Sequence, residues 1–325
     1  MAARPKPRCE GSMKVAIFGT GGVGGYFGGL LANAGHDVTF IARGEHLTAI
    51  KSRGLQIKSV SGDFTVYPAQ ATDEPHSVHP LDYVIVAVKH YQLSDSLPSL
   101  QPLVGPQTTL VPLLNGVDTH EYLIDAFGPE NVLGGLCSLV SMIEAPGIIR
   151  HETLLRRVVI GELDGKKTDR VERLVQAWRE CGAEAVHADD IHIAIWTKFL
   201  FISSFGGVSS LSQATAGELM DCAETKALLI QAMEEVEALA RKKGIELMPN
   251  VVESAILLIE SLEPSATSSM QRDTAYGKPF ELEAFTGTIV RLGRELDIAT
   301  PVNNTIYALL SPALARAMKD WPRRH

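Results

Sequence analysis

The chain is 325 residues long, 45% hydrophobic and 21% charged, which is ordinary globular composition and enough length for two domains with separate cores. Its formal net charge of -8, with no Lys/Arg cluster to offset it, argues against a nucleic-acid-binding surface. Cys9, Cys137, Cys181 and Cys222 form no C-x-x-C pair and the ten histidines no H-E-x-x-H, so neither a metal nor a disulfide framework is expected, and reduced thiols suit a cytoplasmic protein.

Residues 1–12 hold two prolines and three basic residues without an apolar core, and read as a flexible leader before Met13. The first strand is Val15-Ala16-Ile17-Phe18, and it runs straight into Gly19-Thr20-Gly21-Gly22-Val23-Gly24. A helix-compatible stretch from Tyr26 to Ala34 follows, Gly35 closes it, and Asp37 to Ala42 makes a second strand. This is the βαβ context in which a G-x-G-x-x-G turn binds a dinucleotide pyrophosphate at a helix N-terminus. Gly19 permits the tight turn, Gly21 lets the backbone approach the phosphates, and Gly24 lets helix and strand pack closely. The second strand ends in Arg43 with no acid before Glu45. An acid there would accept from an NAD ribose; a guanidinium suits the 2′-phosphate of NADP.

Leu55 to Ile57 and Phe64 to Val66 read as a small antiparallel insertion. Asp82 to Val88 and Thr108 to Leu114 are near-continuous apolar runs, as in strands buried on both faces. Lys89 and Asn115 follow them, at the carboxyl ends where ligands bind in an open α/β sheet. Val132 to Met142 and Arg157 to Gly161 add two strands, and Thr168 to Cys181 an amphipathic helix. From Ile191 the β signal disappears. Helical patterns follow over 193–205, 216–243, 250–262 and 281–295, broken at Gly206-Gly207, Gly244 and Pro264. No uninterrupted apolar stretch reaches membrane-spanning length. The predicted architecture is a leader over 1–12, a Rossmann-like, doubly wound α/β domain over 13–188, and an all-α domain over 189–325.

Lys198 stands out in the helical half. Its helical neighbours Ala194, Ile195, Phe201 and Ile202 are all apolar. Two readings stand: a stem that snorkels its ammonium to water, or a general acid that protonates a ketone oxygen as hydride arrives. Glu281 reads as an acid in the first turn of a helix, and Ser268-Ser269 before Met270 as a cap.

Together these segments resemble one family, the ketopantoate reductases (2-dehydropantoate 2-reductases), over about residues 13–310. Besides the glycine turn and Arg43, Val88-Lys89-His90-Tyr91-Gln92 is similar to the family's V-K-x-Y-Q, and Asn115-Gly116 to its Q-N-G. Trp196-Thr197-Lys198 resembles its W-x-K. The block from Ser268-Ser269-Met270 to Phe280-Glu281-Leu282-Glu283 resembles its S-S-M … T-E-I-D, and Thr300-Pro301-Val302-Asn303 its T-P-x-N. The resemblance implies NADPH-dependent reduction of 2-dehydropantoate, within pantothenate synthesis. It implies that Lys198 protonates the ketone, that Glu281 holds the lysine and a substrate hydroxyl, and that Ser269 binds the substrate carboxylate. It further implies that Asn115 positions nicotinamide and lysine, that Arg43 and Lys89 flank the 2′-phosphate and cofactor, and that Glu281 also reaches the cofactor. Gly19, Thr20, Gly21, Gly22, Val23 and Gly24 would hold the pyrophosphate.

The chain departs from that pattern at Ile202 and Gly206, four and eight residues after the lysine, where the family carries Asn. Ser203 is the nearby residue able to return a hydroxyl. A different, more apolar 2-keto acid, or an NADP(H)-binding sensor without catalysis, are therefore the alternatives. The expected partner is a small 2-keto acid, with neither nucleic acid nor membrane, and a homodimer is left open.

Overall fold

The computed structural model of the protein describes residues 11–78 and 80–321. Most of the expected leader thus lies outside the described residues. The chain divides into two compact units, the first ending at Ile191 and the second beginning at His192.

The first unit runs β1 (Lys14–Phe18), α1 (Gly22–Asn33), β2 (Asp37–Ile41), α2 (Gly44–Arg53), β3 (Leu55–Ser59), β4 (Phe64–Val66), β5 (Gln70–Thr72) and β6 (Tyr83–Val86). It continues with α3 (Leu93–Leu100), β7 (Thr109–Pro112), α4 (Thr119–Phe127), β8 (Gly134–Ala145), β9 (Ile148–Gly161), α5 (Asp169–Glu180) and β10 (Glu184–His187). β5-β2-β1-β6-β7 form one sheet, parallel throughout. Alternation along β1 explains the run of apolar residues there. Val15 and Ile17 enter a core shared with α1, α5 and the second sheet, while Ala16 and Phe18 enter another shared with α3 and α4. This is the doubly wound arrangement that the sequence predicts.

The predicted antiparallel insertion forms as β3 and β4, with Leu55 opposite Val66 and Ile57 opposite Phe64. It belongs to a larger second sheet, β10-β9-β3-β4, with β8 paired antiparallel to β9. β9 extends well before the predicted Arg157, because its first half pairs β3 from Gln56↔Ile148 to Ser59↔His151. α1 packs against both sheets. A Cβ added at Gly28 would lie 2.4 Å from Ile17 and one at Gly25 2.7 Å from Ile149, so glycine sets the spacing. The helix ends at Gly35 (φ +100°), where the His36 N–H reaches the Leu31 carbonyl at 3.2 Å in a Schellman closure.

The second unit is helical: α6 (Ile191–Ser212), α7 (Ala216–Asp221), α8 (Ala223–Lys242), α9 (Val251–Glu260), α10 (Ser269–Ala275), α11 (Thr288–Leu296) and α12 (Pro301–Asp320). Four predictions are corrected here. α6 is not broken at Gly206-Gly207 but runs through them. A Cβ at Gly207 would meet Ile306 at 3.1 Å and Thr286 at 3.3 Å, so the glycines serve close packing inside a helix. The helix predicted over 216–243 splits at Cys222, whose backbone is extended (φ -99°, ψ 116°). The helix predicted from Glu281 begins instead as a π-turn over Glu283–Gly287. At 22 residues, α6 is also long and apolar enough by composition to cross a bilayer, contrary to the sequence reading; 61% of its most apolar window is buried within the protein, as in a core helix.

Candidate active site

Four of the predicted cofactor segments lie at one edge of the parallel sheet, since β1, β2, β6 and β7 all point their carboxyl ends the same way. The glycine turn leaves β1. Arg43 follows β2, exposed and extended (φ -135°, ψ 163°), as the N-cap residue of α2. Lys89 follows β6 and Asn115 follows β7, each three residues past its strand.

Within the turn, Gly19 has φ +98°, and a Cβ there would meet the Ala87 backbone at 2.8 Å. Thr20 fastens the turn to the neighbouring strand: its Oγ1 donates to the Ile41 carbonyl at 2.9 Å and its N–H to the same oxygen at 3.3 Å. Gly24 packs helix on strand, as expected, because a Cβ there would lie 2.3 Å from the Gly19 carbonyl oxygen and 2.8 Å from Ile17. Gly22 does the same toward the second sheet, 2.4 Å from the Ser141 carbonyl oxygen. Gly21 differs from all of these: a Cβ there meets nothing within 4 Å. It is the N-cap of α1, with no side-chain cap and no acid in the first turn. The first amides of a helix have no partner within it, so an open, uncapped N-terminus without an acid in its first turn fits a pyrophosphate.

Two features of this edge escape sequence reading. His90 Nε2 lies 3.0 Å from Asp118 Oδ1, both side chains about nine-tenths buried, which joins the loops carrying Lys89 and Asn115. Gly116 (φ +114°) brings the chain under that ring, and Tyr122 meets it edge-on. His46, in the first turn of α2, accepts the Gly147 N–H on Nδ1 at 3.0 Å. Burial lowers its pKa, opposed by hydrogen bonding to the Thr20 backbone. The spacing of His90 and Asp118, each just beyond a predicted strand end, is the one signal that could have found the first pair; nothing in the sequence joins His46 to Gly147.

In the helical unit, α6, α10 and the π-turn pack against one another, which gathers the elements bearing Lys198, Ser269 and Glu281. A Cβ at Gly206 would sit 3.5 Å from the Phe285 ring and 3.7 Å from Met270 Cβ. Ser209 and Ser268 share a hydrogen bond of 2.9 Å, and Phe199 meets Phe285 edge-on with centroids 6.4 Å apart. Lys198 is half-buried on α6. Glu281 is 5% exposed and stands just before the π-turn rather than in a first helical turn; its carbonyl accepts the Phe285 N–H at 3.1 Å. Such turns recur at functional sites. Ser269 is exposed at the start of α10, while Ser268 takes the cap, accepting from the Gln271 N–H at 3.0 Å. Ser203 does not fit a substrate-binding role. It has no exposed surface, and its hydroxyl donates to the Phe199 carbonyl at 2.6 Å within its own helix. Asn303 of the T-P-x-N segment is equally occupied: its Nδ2 donates to Glu235 Oε2 at 2.7 Å and to the Ala232 carbonyl at 3.1 Å.

Comparison with known proteins identifies the family. The family described as ketopantoate reductase PanE/ApbA matches residues 15–165, and its C-terminal counterpart matches residues 190–313. The chain belongs to the ketopantoate reductase family. It is 33% identical to an uncharacterized oxidoreductase, YkpB, of Bacillus subtilis, over 92% of this chain and 98% of that one. It is 31% identical to a 2-dehydropantoate 2-reductase of Mesorhizobium japonicum, over 92% and 97%. The crystal structure of a 2-dehydropantoate 2-reductase from Geobacter metallireducens superposes with a TM-score of 0.87 at 30% identity, covering 93% of this chain and all of that one. As a ketopantoate reductase family member, the chain is a pyridine-nucleotide-dependent oxidoreductase acting between CH–OH and carbonyl.

Proposed function

We propose that the chain reduces the carbonyl of a 2-keto acid with NADPH, its first unit serving as the dinucleotide domain and its second as the substrate and catalytic domain. The open side of Gly21 at an uncapped helix N-terminus carries this reading, together with Arg43 where an NAD-preferring strand would end in an acid. The backbone from Gly19 to Gly24 would hold the pyrophosphate. Arg43 would take the 2′-phosphate through paired charge-assisted bonds, and Lys89 and Asn115 the rest of the cofactor. When bound, the nicotinamide supplies the hydride for the carbonyl carbon.

Lys198 would then pass a proton from Nζ to the carbonyl oxygen. An ammonium of ordinary pKa about 10 is a far stronger acid than the alcohol being formed, so transfer becomes favourable as charge develops on that oxygen. Glu281 would orient the ammonium and reach toward the cofactor, Asn115 would position the reacting groups, and Ser269 would donate to the substrate carboxylate. 2-Dehydropantoate is the substrate named for several relatives, and turnover of it would place the enzyme in cytoplasmic pantothenate synthesis.

The test follows nucleotide oxidation with 2-keto acids and either NADPH or NADH, beside fluorescence titration of the nucleotide. NADPH should give the higher kcat/KM. Lys198→Ala should lower kcat by about 10²–10⁴ while the NADPH Kd stays unchanged. Full turnover in that variant removes the proton-donor role; tight NADPH binding with no reduction of any 2-keto acid leaves a sensor.

A further inference from the structure

Asp118 departs from what its position in the chain would ordinarily ask of it. It is the N-cap residue of α4, and an aspartate there usually accepts from the first free amides of its own helix. Here no side-chain cap bond forms. The carboxylate turns instead to the loop after β6, where Oδ1 lies 3.0 Å from His90 Nε2, with 7% of the aspartate side chain and 10% of the histidine side chain exposed. Backbone pairing carries β6 and β7 together as far as the Leu113 N–H, which donates to the Val86 carbonyl at 2.8 Å. Beyond that point each loop closes on itself. The Gln92 N–H donates to the Lys89 carbonyl at 2.9 Å and the Lys89 N–H to Gln92 Oε1 at 3.2 Å, while the Glu121 N–H donates to the Asp118 carbonyl at 2.9 Å. The His90–Asp118 bond ties one loop to the other. It stands next to Lys89 in sequence and three residues from Asn115. Gly116, at φ +114°, makes room for the ring, since a Cβ there would lie 3.1 Å from His90 Cδ2. Tyr122 meets the same ring edge-on with centroids 5.8 Å apart.

We propose that His90 and Asp118 are a positioning pair for the nucleotide, fixing the loops of Lys89 and Asn115 relative to each other before NADPH arrives. This rests on the assignment of Lys89 and Asn115 to the cofactor. Two residues on separate loops would otherwise have to be ordered as the nucleotide binds, and that ordering is subtracted from affinity. With the pair in place, the ordering is completed on folding. The cost falls on α4, whose first turn gives up its side-chain cap. Breaking the pair from either side leaves the other partner buried without this bond and frees both loops, so each member should matter only while its partner is present.

Fluorescence titration of the full-length protein with NADPH tests this, with circular dichroism to check that each variant folds. His90→Leu and Asp118→Ala should each raise the NADPH Kd by about ten-fold. The double variant should raise it by much less than the product of the two single effects. His90→Gln, whose side-chain amide can still donate to Asp118, should stay within about three-fold of the wild-type Kd. A pair that served the fold alone would lower the melting temperature and leave the Kd of the folded variants where it was. An unchanged Kd in the single variants, or multiplied effects in the double variant, therefore overturns the inference and leaves NADPH binding by the first unit intact. Should one single variant fail to fold, the other decides the matter beside His90→Gln. Wild-type protein that does not bind NADPH takes down the cofactor assignment and the inference together.

Discussion

His46, His36 and His151 share a chemical situation that gives the protein a directional response to pH. Each is partly buried, and burial lowers each pKa below the ordinary 6.5. Each uses Nδ1 as an acceptor: from the Gly147 N–H at 3.0 Å, from the Met13 N–H at 3.2 Å, and from the Ser59 hydroxyl at 2.9 Å, with His151 Nε2 donating to the Leu155 carbonyl. The folded state thus holds neutral rings, and protonation at Nδ1 removes the acceptor. A histidine whose folded pKa is depressed contributes stability that is fully present above 6.5 and is lost as pH falls through the folded value. Urea unfolding should therefore show falling stability from pH 7 toward pH 5. His46→Asn, whose side-chain oxygen can still accept from Gly147, should flatten that slope while costing little at pH 7. His46→Ala, which leaves the Gly147 N–H without an acceptor, should cost about 1–3 kcal/mol at pH 7. An unchanged slope in the Asn variant would remove His46 from this account. None of the three contacts at Nδ1 is legible in the sequence, because each joins residues at least 23 positions apart whose meeting depends on the completed fold.

At the scale of elements, local signals served where chain chemistry is local. The glycine turn, Gly35, Gly244 and the alternating β1 were readable because backbone conformation and two-sided burial leave a mark on residue type. Elements held by tertiary contact were not. β5 is three residues of modest β character, paired with β2 from Thr39↔Gln70 to Ile41↔Thr72, and the first half of β9 carries exposed polar residues because β3 and β8 hold it in register. Gly206-Gly207 reads as a breaker in sequence, yet in α6 it is the surface on which Phe285 and Ile306 pack. The start of α12 makes the same point with a measurable consequence. Thr300 is its N-cap without a side-chain cap, and the missing acceptor comes from α8: Glu235 takes the Val302 N–H at 2.7 Å, the Asn303 N–H at 3.0 Å and the Asn303 side chain. A carboxylate at a helix N-terminus is favoured by both hydrogen bonding and the helix dipole. Glu235→Ala should therefore cost roughly 2 kcal/mol, with amide exchange at 302 and 303 accelerated. Unaltered stability would mean that water caps this helix as well as the carboxylate does.

For the whole molecule, the division into an α/β unit and a helical unit was readable from composition alone, since strand-like runs stop where long helical patterns begin. The placement of the candidate residues within each unit was partly readable. The residues proposed for the cofactor fall at strand carboxyl ends, a property of parallel sheets in general, whereas Ser203 was misplaced because sequence does not reveal which hydroxyls a helix consumes internally. The two units also make separable claims about binding. If Gly19 to Gly24, Arg43, Lys89 and Asn115 hold the nucleotide, then NADPH at about 100 times its Kd stabilises the folded state by ~2.7 kcal/mol. Hydrogen exchange should then slow at the first amides of α1 and in the loops after β2, β6 and β7. The deep amides of β1 and β6, already buried, should change only with global stability. Gly21→Val should abolish that protection while leaving the fold, since a Cβ at this position meets open space and not protein. Protection confined to residues after His192, or an undiminished response in the Val variant, would place the nucleotide elsewhere and overturn the assignment of the glycine cradle.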